Sequence, residues 1–407
     1  MEQHRLIRIL ACWIVCVVIA SRLASAARPL GIDVSNHQGI INWTTIKNDG
    51  ITFAWAKATE GTSFTDSYFA GPDGFNAANA RNAGVLIGAY DFARPDKNLG
   101  LSGADAEAAH FWSVAGPYIT AGNTYLMPML DIEWAPGSSY TKTTLSQWVN
   151  RWCNDIKSYA ATARVSVTPV IYTFTSYAST WLDSTVSQSW PLWMASWPTN
   201  PNPQTGAPSS TSPWATWQFW QYADTGVAGD SDVINGDANV LKDYIIGSPG
   251  RFDDGSFVQT NANLNVWSSP ASTGQPVVEP RGSYGKILQG PVYGASYQRW
   301  QIQYADGKIG WSAEDFLVQA PPISGDFNGD GQVDAADYIS WAKGLSPNPH
   351  SSSDYTAWRQ HFGQSYLGSG SALTGTAAVP EPATLVYLAF LPLVLSYRRR
   401  WPACSRS

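Results

Sequence analysis

Cysteine is scarce in this chain: 4 among 407 residues. Cys12 and Cys16 fall in the first apolar stretch, Cys404 in the final residues, and Cys153 alone stands in the body, beside Trp152 on a helical pattern. That distribution excludes an internal disulfide framework. With only 5 histidines, no His/Cys group has metal-ligand spacing. Charge is also thin, at 14% of residues against roughly 25% in ordinary domains. The net charge of -6, from 31 acids and 25 bases, provides no basic footprint for nucleic acid. Glycine, serine, threonine and aromatic rings fill the gap, with 20 Trp, 19 Tyr and 14 Phe. A chain of 407 residues is too long for one domain of usual size.

The N-terminus reads as an export signal over 1–26. Arg5 and Arg8 precede an apolar stretch from Ile9 to Ala20, and Ala24-Ser25-Ala26 offers small residues for cleavage. A permanent anchor helix fits less well, because the apolar run is short. Beyond it, short apolar runs close on polar or aromatic residues: Leu30-Gly31-Ile32-Asp33, Phe53-Ala54-Trp55-Ala56-Lys57, Val85-Leu86-Ile87-Gly88-Ala89-Tyr90, Pro169-Val170-Ile171-Tyr172, Leu192-Trp193-Met194-Ala195 and Trp217-Gln218-Phe219-Trp220-Gln221-Tyr222. Helical patterns at 73–83, 104–114 and 143–160 separate several of them. Alternation of this kind argues for an α/β fold, a parallel sheet with covering helices. In a barrel of that type the C-terminal strand ends carry the chemistry.

Asp131-Ile132-Glu133 ends the apolar run Tyr125-Leu126-Met127-Pro128-Met129-Leu130. On a strand, positions i and i+2 share a face, so Asp131 and Glu133 stand side by side while Ile132 enters the opposite layer. Two carboxyls on one face repel when ionised, which raises at least one pKa and poises it to give up a proton. Glycoside cleavage needs such a pair. A loop entry with two solvated acids would read the same way in isolation. Asp33 arrives similarly at a strand end, ahead of Ser35-Asn36-His37-Gln38-Gly39. His37 fits a hydrogen-bonded loop residue better than a catalyst. Lys57 and Glu60 either pair to brace the rim or stand solvated.

Residues 29–248 resemble the glycoside hydrolase family 25 lysozymes, the Chalaropsis-type muramidases. The resemblance rests on Asp33-Val34-Ser35 with His37-Gln38-Gly39, Ala56-Lys57-Ala58-Thr59-Glu60-Gly61, Gly88-Ala89-Tyr90, Met129-Leu130-Asp131-Ile132-Glu133, Val170-Ile171-Tyr172 and Trp220-Gln221-Tyr222, in the family's order. It implies an irregular (β/α) barrel that cleaves the β-1,4 bond between N-acetylmuramic acid and N-acetylglucosamine in peptidoglycan, without a catalytic cofactor. It makes Glu133 the proton donor. Asp131 becomes either nucleophile or the carboxylate that orients the substrate's own 2-acetamido group. Asp33 borders the same acidic cleft. The family's last acid lies in a Val-Asp-x-Asn stretch; here the text is Gly229-Asp230-Ser231-Asp232-Val233-Ile234-Asn235-Gly236. Aligning Asn235-Gly236 places Asp230 at the acid and Asp232 at the Asn position, with Asp232 as the competing choice. Tyr90, Tyr172, Trp193, Trp197 and Tyr222 sit at strand ends, where rings either stack on sugar or fill a core.

Three further segments follow. Residues 258–319 read as short strands with turns, including Trp300-Gln301-Ile302-Gln303-Tyr304-Ala305-Asp306-Gly307-Lys308-Ile309-Gly310-Trp311, a strong hairpin signal. They resemble a bacterial Src-homology-3-like module, a small all-β barrel that implies a grip on peptidoglycan peptide; a passive spacer is the alternative. Residues 321–365 contain Asp326, Asn328, Asp330, Gln332, Asp334 and Asp337 at EF-hand spacing, with Gly331 at the sixth position. This resembles a dockerin-type repeat and implies a short helical calcium-loop segment with structural Ca2+. The second half keeps a helix at Asp354-Tyr355-Thr356-Ala357-Trp358-Arg359 without a ligand run, which argues against docking to a cohesin-like partner. After a linker at 366–378, residues 379–407 carry Val379-Pro380-Glu381-Pro382, an apolar span and Arg398-Arg399-Arg400. They resemble a PEP-CTERM sorting signal, which implies transient membrane association and handling by a sorting protease of the exosortase type. Secreted or cell-surface placement follows.

The rival to a secreted hydrolase is a non-catalytic wall-binding or surface scaffold that has kept the barrel. Retention of Asp33, Asp131, Glu133 and an acid near 230 argues for the hydrolase. Chitinase-like glycosidases are a lesser rival, because their longer Asp-rich motif is absent.

Overall fold

The structure, a computed structural model, describes residues 27–71, 75–120 and 125–368. The export signal at 1–26 and the sorting tail at 379–407 lie outside the described residues, as does most of the linker at 366–378. The chain forms two compact units, divided between Ala320 and Pro321.

In the first unit eight strands close on themselves: β1 (Leu30–Val34), β2 (Ile51–Glu60), β4 (Leu86–Phe92), β5 (Met129–Asp131), β6 (Val170–Phe174), β7 (Leu192–Ala195), β8 (Phe219–Ala223) and β9 (Asp230–Ile234), with β3 (Phe64–Thr65) a short flap on β2. Neighbours from β1 through β8 pair in parallel. β9 runs antiparallel to both β8 and β1 and completes the ring. The parallel α/β arrangement is the one expected from the alternating runs, and its irregular barrel-like closure is the one the family resemblance implied.

The two-residue period of each strand sorts side chains into two cores. On β2, Phe53 and Trp55 point inward while Ala54, Ala56 and Ala58 face the helices. The interior is filled by rings: Trp55 lies 4.7 Å from Trp193 and 4.9 Å from Phe219, and Phe219 lies 4.8 Å from Tyr244. Gly88 on β4 makes room for them, since a Cβ there would sit 2.2 Å from the Trp55 indole nitrogen. Outside, helix Lys142–Thr162 applies Leu145, Trp148, Val149, Trp152 and Ile156, an i, i+3, i+4 stripe. Its start is fixed by a capping box in which the Thr141 hydroxyl accepts from the Thr144 N–H.

Helix Gly100–Ala115 begins earlier than the expected 104–114. Its first turn reads as loop because it contains Gly103, yet a Cβ there would lie 2.0 Å from the Asn98 carbonyl oxygen. The glycine is demanded by the approach of the entering chain. Near the expected 73–83 helix, the described helix spans Asn76–Asn82.

Within the same unit, β10 (Phe257–Thr260), β13 (Tyr284–Gly294), β14 (Tyr297–Tyr304), β15 (Ile309–Ala313) and β16 (Leu317–Gln319) form an antiparallel sheet in the order β15-β14-β13-β10-β16. The strands β11 (Leu264–Val266) and β12 (Val277–Glu279) pair separately. Trp300, Ile302, Tyr304, Val258 and Leu317 form the core. Asp306-Gly307 turns β14 into β15, with Gly307 at φ 88°. This sheet is fastened to the barrel. Ala295 N–H donates to Gln188 O at 2.8 Å and Ser296 Oγ to Ser187 O at 2.9 Å. Asp243, buried, accepts the Arg251 N–H at 2.6 Å and lies within hydrogen-bond reach of buried Glu314. Glu314 also accepts the Trp300 indole N–H at 2.7 Å.

The second unit holds helices Ala335–Ala342 and Ser352–His361, joined through Tyr338, Trp341, Tyr355 and Trp358, with Tyr338–Trp358 and Trp341–Tyr355 both at 5.1 Å. Trp358 Nε1 donates to Asp334 O at 2.6 Å.

Candidate active site

The parallel strands deliver their C-terminal ends to one rim, and antiparallel β9 contributes its N-terminal end to the same rim. Asp33 on β1 is therefore the register partner of Asp230 on β9. Asp131 ends β5, opposite Phe92 on one side and Tyr172 on the other. The ladder continues past it: Ala93 N–H donates to Asp131 O at 2.9 Å, and Ile132 N–H to Tyr172 O at 3.0 Å. Ile132 is fully buried in the outer core while Asp131 faces the interior, so the alternation carries Glu133 to the cleft side. Tyr177 OH holds the next residue by donating to Trp134 O at 3.0 Å.

Gln221 on β8 ties the rim together. Its Nε2 donates to Asp33 Oδ2 at 2.7 Å and to Asp230 Oδ2 at 3.0 Å. Its Oε1 accepts from Tyr172 OH at 2.9 Å and from Trp197 Nε1 at 3.0 Å. Both ends of the amide are thereby used, which fixes its orientation, and four cleft residues share one hub. Glu133, Tyr172, Phe174, Ala195, Ser196 and Trp197 line a cavity of ≈ 400 Å³.

Burial and mutual repulsion act on every acid here. Burial, then the charge of Asp230, raises the pKa of Glu133, against the pull of Lys57. Burial pushes Asp131 well above the carboxylate range, with Glu133 and Asp33 adding to it. Asp33 is pushed up to about 7, by burial first and by Asp230 second. Asp230 is also raised, by burial and then by Asp224. Such a cluster holds protons near neutrality, which suits proton donation. Lys57 is the cation beside it, paired with Glu60 at 2.7 Å, and Arg94 bridges Glu60 to Asp96 at 2.8 and 2.7 Å. The pairing alternative for Lys57 and Glu60 is the one realised.

The aromatic residues divide. Tyr172 and Trp197 border the cavity, and Trp197 is 55% exposed. Tyr90 is buried on the inner face near Asp33 and Asp131. Trp193 is not available to a sugar: it is 0% exposed inside the barrel, with Tyr172 edge-on at 5.5 Å. Its ring is packed inside the barrel against Trp55 and Phe219, at 4.7 and 5.9 Å. Tyr222 is displaced by the same alternation, packing with the outer core and 5.8 Å from Trp220. Asp232 lies deeper than Asp230 and is 0% exposed. His37 is exposed in a short 3-10 turn capped by Ser35.

Two residues escaped the sequence reading. Gln221 stands in the Trp220-Gln221-Tyr222 run, but an uncharged amide carries no signal of its own. Trp134, 50% exposed next to Glu133, is braced by Phe92 at 6.4 Å and by the Arg94 guanidinium at 5.0 Å. Its adjacency to the acid was the available clue.

The loop residues of the second unit are organised around carboxylates. Asp326 accepts from the Gly329 and Gly331 N–H groups at 2.8 and 2.9 Å. Asp337 accepts from the Phe327, Asn328 and Asp334 N–H groups at 2.7, 3.1 and 2.8 Å. Asn328 and Asp330 bond each other, Gln332 N–H donates to Asp330 Oδ1, and Asp334 caps the helix through the Ala336 N–H. Among the described residues no group of three or more His, Cys, Asp or Glu side chains is gathered as a metal site.

The profile of Glycosyl hydrolases family 25 matches residues 32–231, which include Asp33, Asp131, Glu133 and Asp230. Lysozyme M1 of Streptomyces globisporus is 38% identical over 221 residues, 51% of this chain and 68% of that protein. The N,O-diacetylmuramidase of Arthroderma benhamiae is 30% identical over 224 residues, 53% of this chain and 86% of that protein. Among solved structures, a bacterial lysozyme from Streptomyces coelicolor aligns with 53% of this chain and 95% of its own, at 34% identity and a TM-score of 0.45.

Proposed function

The chain belongs to glycosyl hydrolase family 25 and is a peptidoglycan muramidase, and we propose that Glu133 is its general acid and base with Asp131 assisting. What carries this assignment is the gathering of Asp33, Asp131, Glu133 and Asp230 on one rim, with Glu133 opening onto the cavity. Glu133, held protonated by burial and Asp230, gives its proton to the glycosidic oxygen as the C1–O bond breaks. The 2-acetamido carbonyl oxygen attacks C1 and forms a cyclic intermediate. Asp131 accepts the acetamido N–H, a role supported by its place at the end of β5, on the same side as Glu133. Glu133, now a carboxylate, takes a proton from water as that water adds to C1 and reopens the ring. Trp197 and Trp134 flank the sugar chain as stacking faces.

Turbidity clearing of purified cell walls tests the reading, with mass analysis of the products expected to show N-acetylmuramic acid at the new reducing ends. Glu133→Gln is expected to lower kcat by about 10²–10⁴-fold with an unchanged circular dichroism spectrum. A fully active variant would refute the role. Products ending in N-acetylglucosamine would refute the bond specificity.

We extend the proposal to the rest of the chain. The protein leaves the cell through the segment at 1–26 and is sorted through 379–407. The sheet built on residues 258–319 grips wall peptide, as its Src-homology-3-like pattern suggests, and the 326–337 loop takes one calcium ion through oxygen donors. Among the described residues no helix is long and apolar enough to cross a membrane. Titration calorimetry of the whole protein is expected to show one calcium event that Asp326→Ala abolishes; heat that survives the substitution would rule this loop out.

A further inference from the structure

Asp232 follows Asp230 by two positions on β9, on the same face but deeper, and is fully buried. Its Oδ1 accepts the Trp193 indole N–H at 3.0 Å. Its Oδ2 is buried with no N–H or O–H donor from another described residue. The group within its hydrogen-bond reach is the carboxyl of Asp33, on the adjoining strand, where Gly31 is the register partner of Asp232. Two carboxyls in that contact cannot both be ionised; one proton belongs to the pair. Solvation decides which side carries the charge. Asp33 is only half-buried and accepts the Gln221 amide at 2.7 Å. Asp232 is sealed from solvent with one donor, and a bare charge there is the costlier arrangement. The titratable neighbours do not compensate it: Asp33 comes from β1, Asp230 from its own strand, Tyr172 from β6 and, on the outer face of β8, Tyr222, none of them a cation.

We propose that Asp232 is a positioning residue that stays a neutral carboxylic acid, accepting from Trp193 and donating its O–H to Asp33, so that the Asp33 carboxylate is held facing the sugar. This rests on the muramidase reading of the cleft. Its burial removes Asp232 from contact with substrate and leaves Asp230 as the acid at the rim. The raised pKa of Asp232, caused by burial first and by Asp33 and Asp230 after it, accords with the geometry. Trp193 is then the inner end of a relay of fixed hydrogen bonds, from indole to acid to carboxylate to the Gln221 amide.

The test compares full-length Asp232→Ala and Asp232→Asn with the unaltered chain. An amide preserves both contacts, its carbonyl accepting from Trp193 and its N–H donating to Asp33. Alanine strands a buried indole N–H and frees Asp33 to turn. On purified peptidoglycan, Asp232→Ala is expected to lower kcat about tenfold or more with KM little changed, and Asp232→Asn to recover most of the loss. In infrared difference spectra at neutral pH, Asp232→Asn is expected to remove a protonated-carboxyl carbonyl band. Loss of an ionised-carboxylate band in its place overturns the proposal. So does a folded Asp232→Asn protein as impaired as Asp232→Ala, because an acidic proton would then take part in the chemistry. If the unaltered protein fails to cleave peptidoglycan, the muramidase reading falls, while the infrared comparison still decides the protonation of Asp232.

Discussion

Gln221 holds the cleft at the scale of single atoms. An amide offers a donor end and an acceptor end, and here the donor end faces two carboxylates while the acceptor end faces two aromatic donors. Gln221→Glu keeps the shape and reverses the donor end. Asp33 and Asp230 would then meet a third carboxyl, and the bonds lost are charge-assisted, worth about 1.5–3 kcal/mol each. Activity on peptidoglycan is expected to fall about 10- to 100-fold, with the remaining activity moved toward lower pH, where the added carboxyl is protonated. An unchanged pH profile would show that the amide only fills space. Asp131 and Glu133 were legible because their faces follow from the two-residue strand period alone. Gln221 was not, since its contact with Asp33 joins residues 188 positions apart and depends on ring closure by β9.

The strands make a different demand. Phe53 and Trp55 enter the barrel from β2, and their bulk is accommodated by glycine on the neighbouring strand. Gly88→Ala would drive a methyl group into the Trp55 ring, whose N–H donates to Met127 O at 3.0 Å. Overpacking of this kind costs about 1–3 kcal/mol, so the urea midpoint is expected to drop with little change in slope. A midpoint unmoved by the substitution would mean that the ring has room to retreat. The short apolar runs located β1, β2 and β4 to β8, but they could not say how deep each ring lies. That is why sugar and core stayed open alternatives for Trp193 and Tyr222: one ring is sealed inside the barrel, the other on the opposite face.

Across the whole molecule the buried acids act together. Asp33 and Glu107 are each pushed up to about 7, chiefly by burial, and Asp91, Asp131, Asp232 and Asp243 are raised well above the usual range. In the unfolded chain such groups titrate near pH 4. Between about pH 4 and 7 the folded chain therefore binds more protons than the unfolded one, and stability falls as pH rises. Glu60, lowered by Lys57 and then Arg94, and Asp96, lowered by Arg94, act oppositely, but their contribution is lost only as pH falls below their unfolded values. The urea midpoint followed by tryptophan fluorescence is expected to be higher at pH 5 than at pH 8. A midpoint that climbs over that range would contradict the burial of these carboxyls.

The seam at Asp243, Arg251 and Glu314 bears on how such a chain can be recombined. Modular secreted proteins are commonly imagined as beads exchanged by gene rearrangement at their linkers. Here a cut after residue 248 would strip Asp243 of its Arg251 N–H and leave an acid meant for an interior facing water. An ancestor acquiring a different appendage would have had to redress that scar. Exchanging the sheet for another appendage would have to replace that partner, whereas the boundary after Ala320 falls between two compact units.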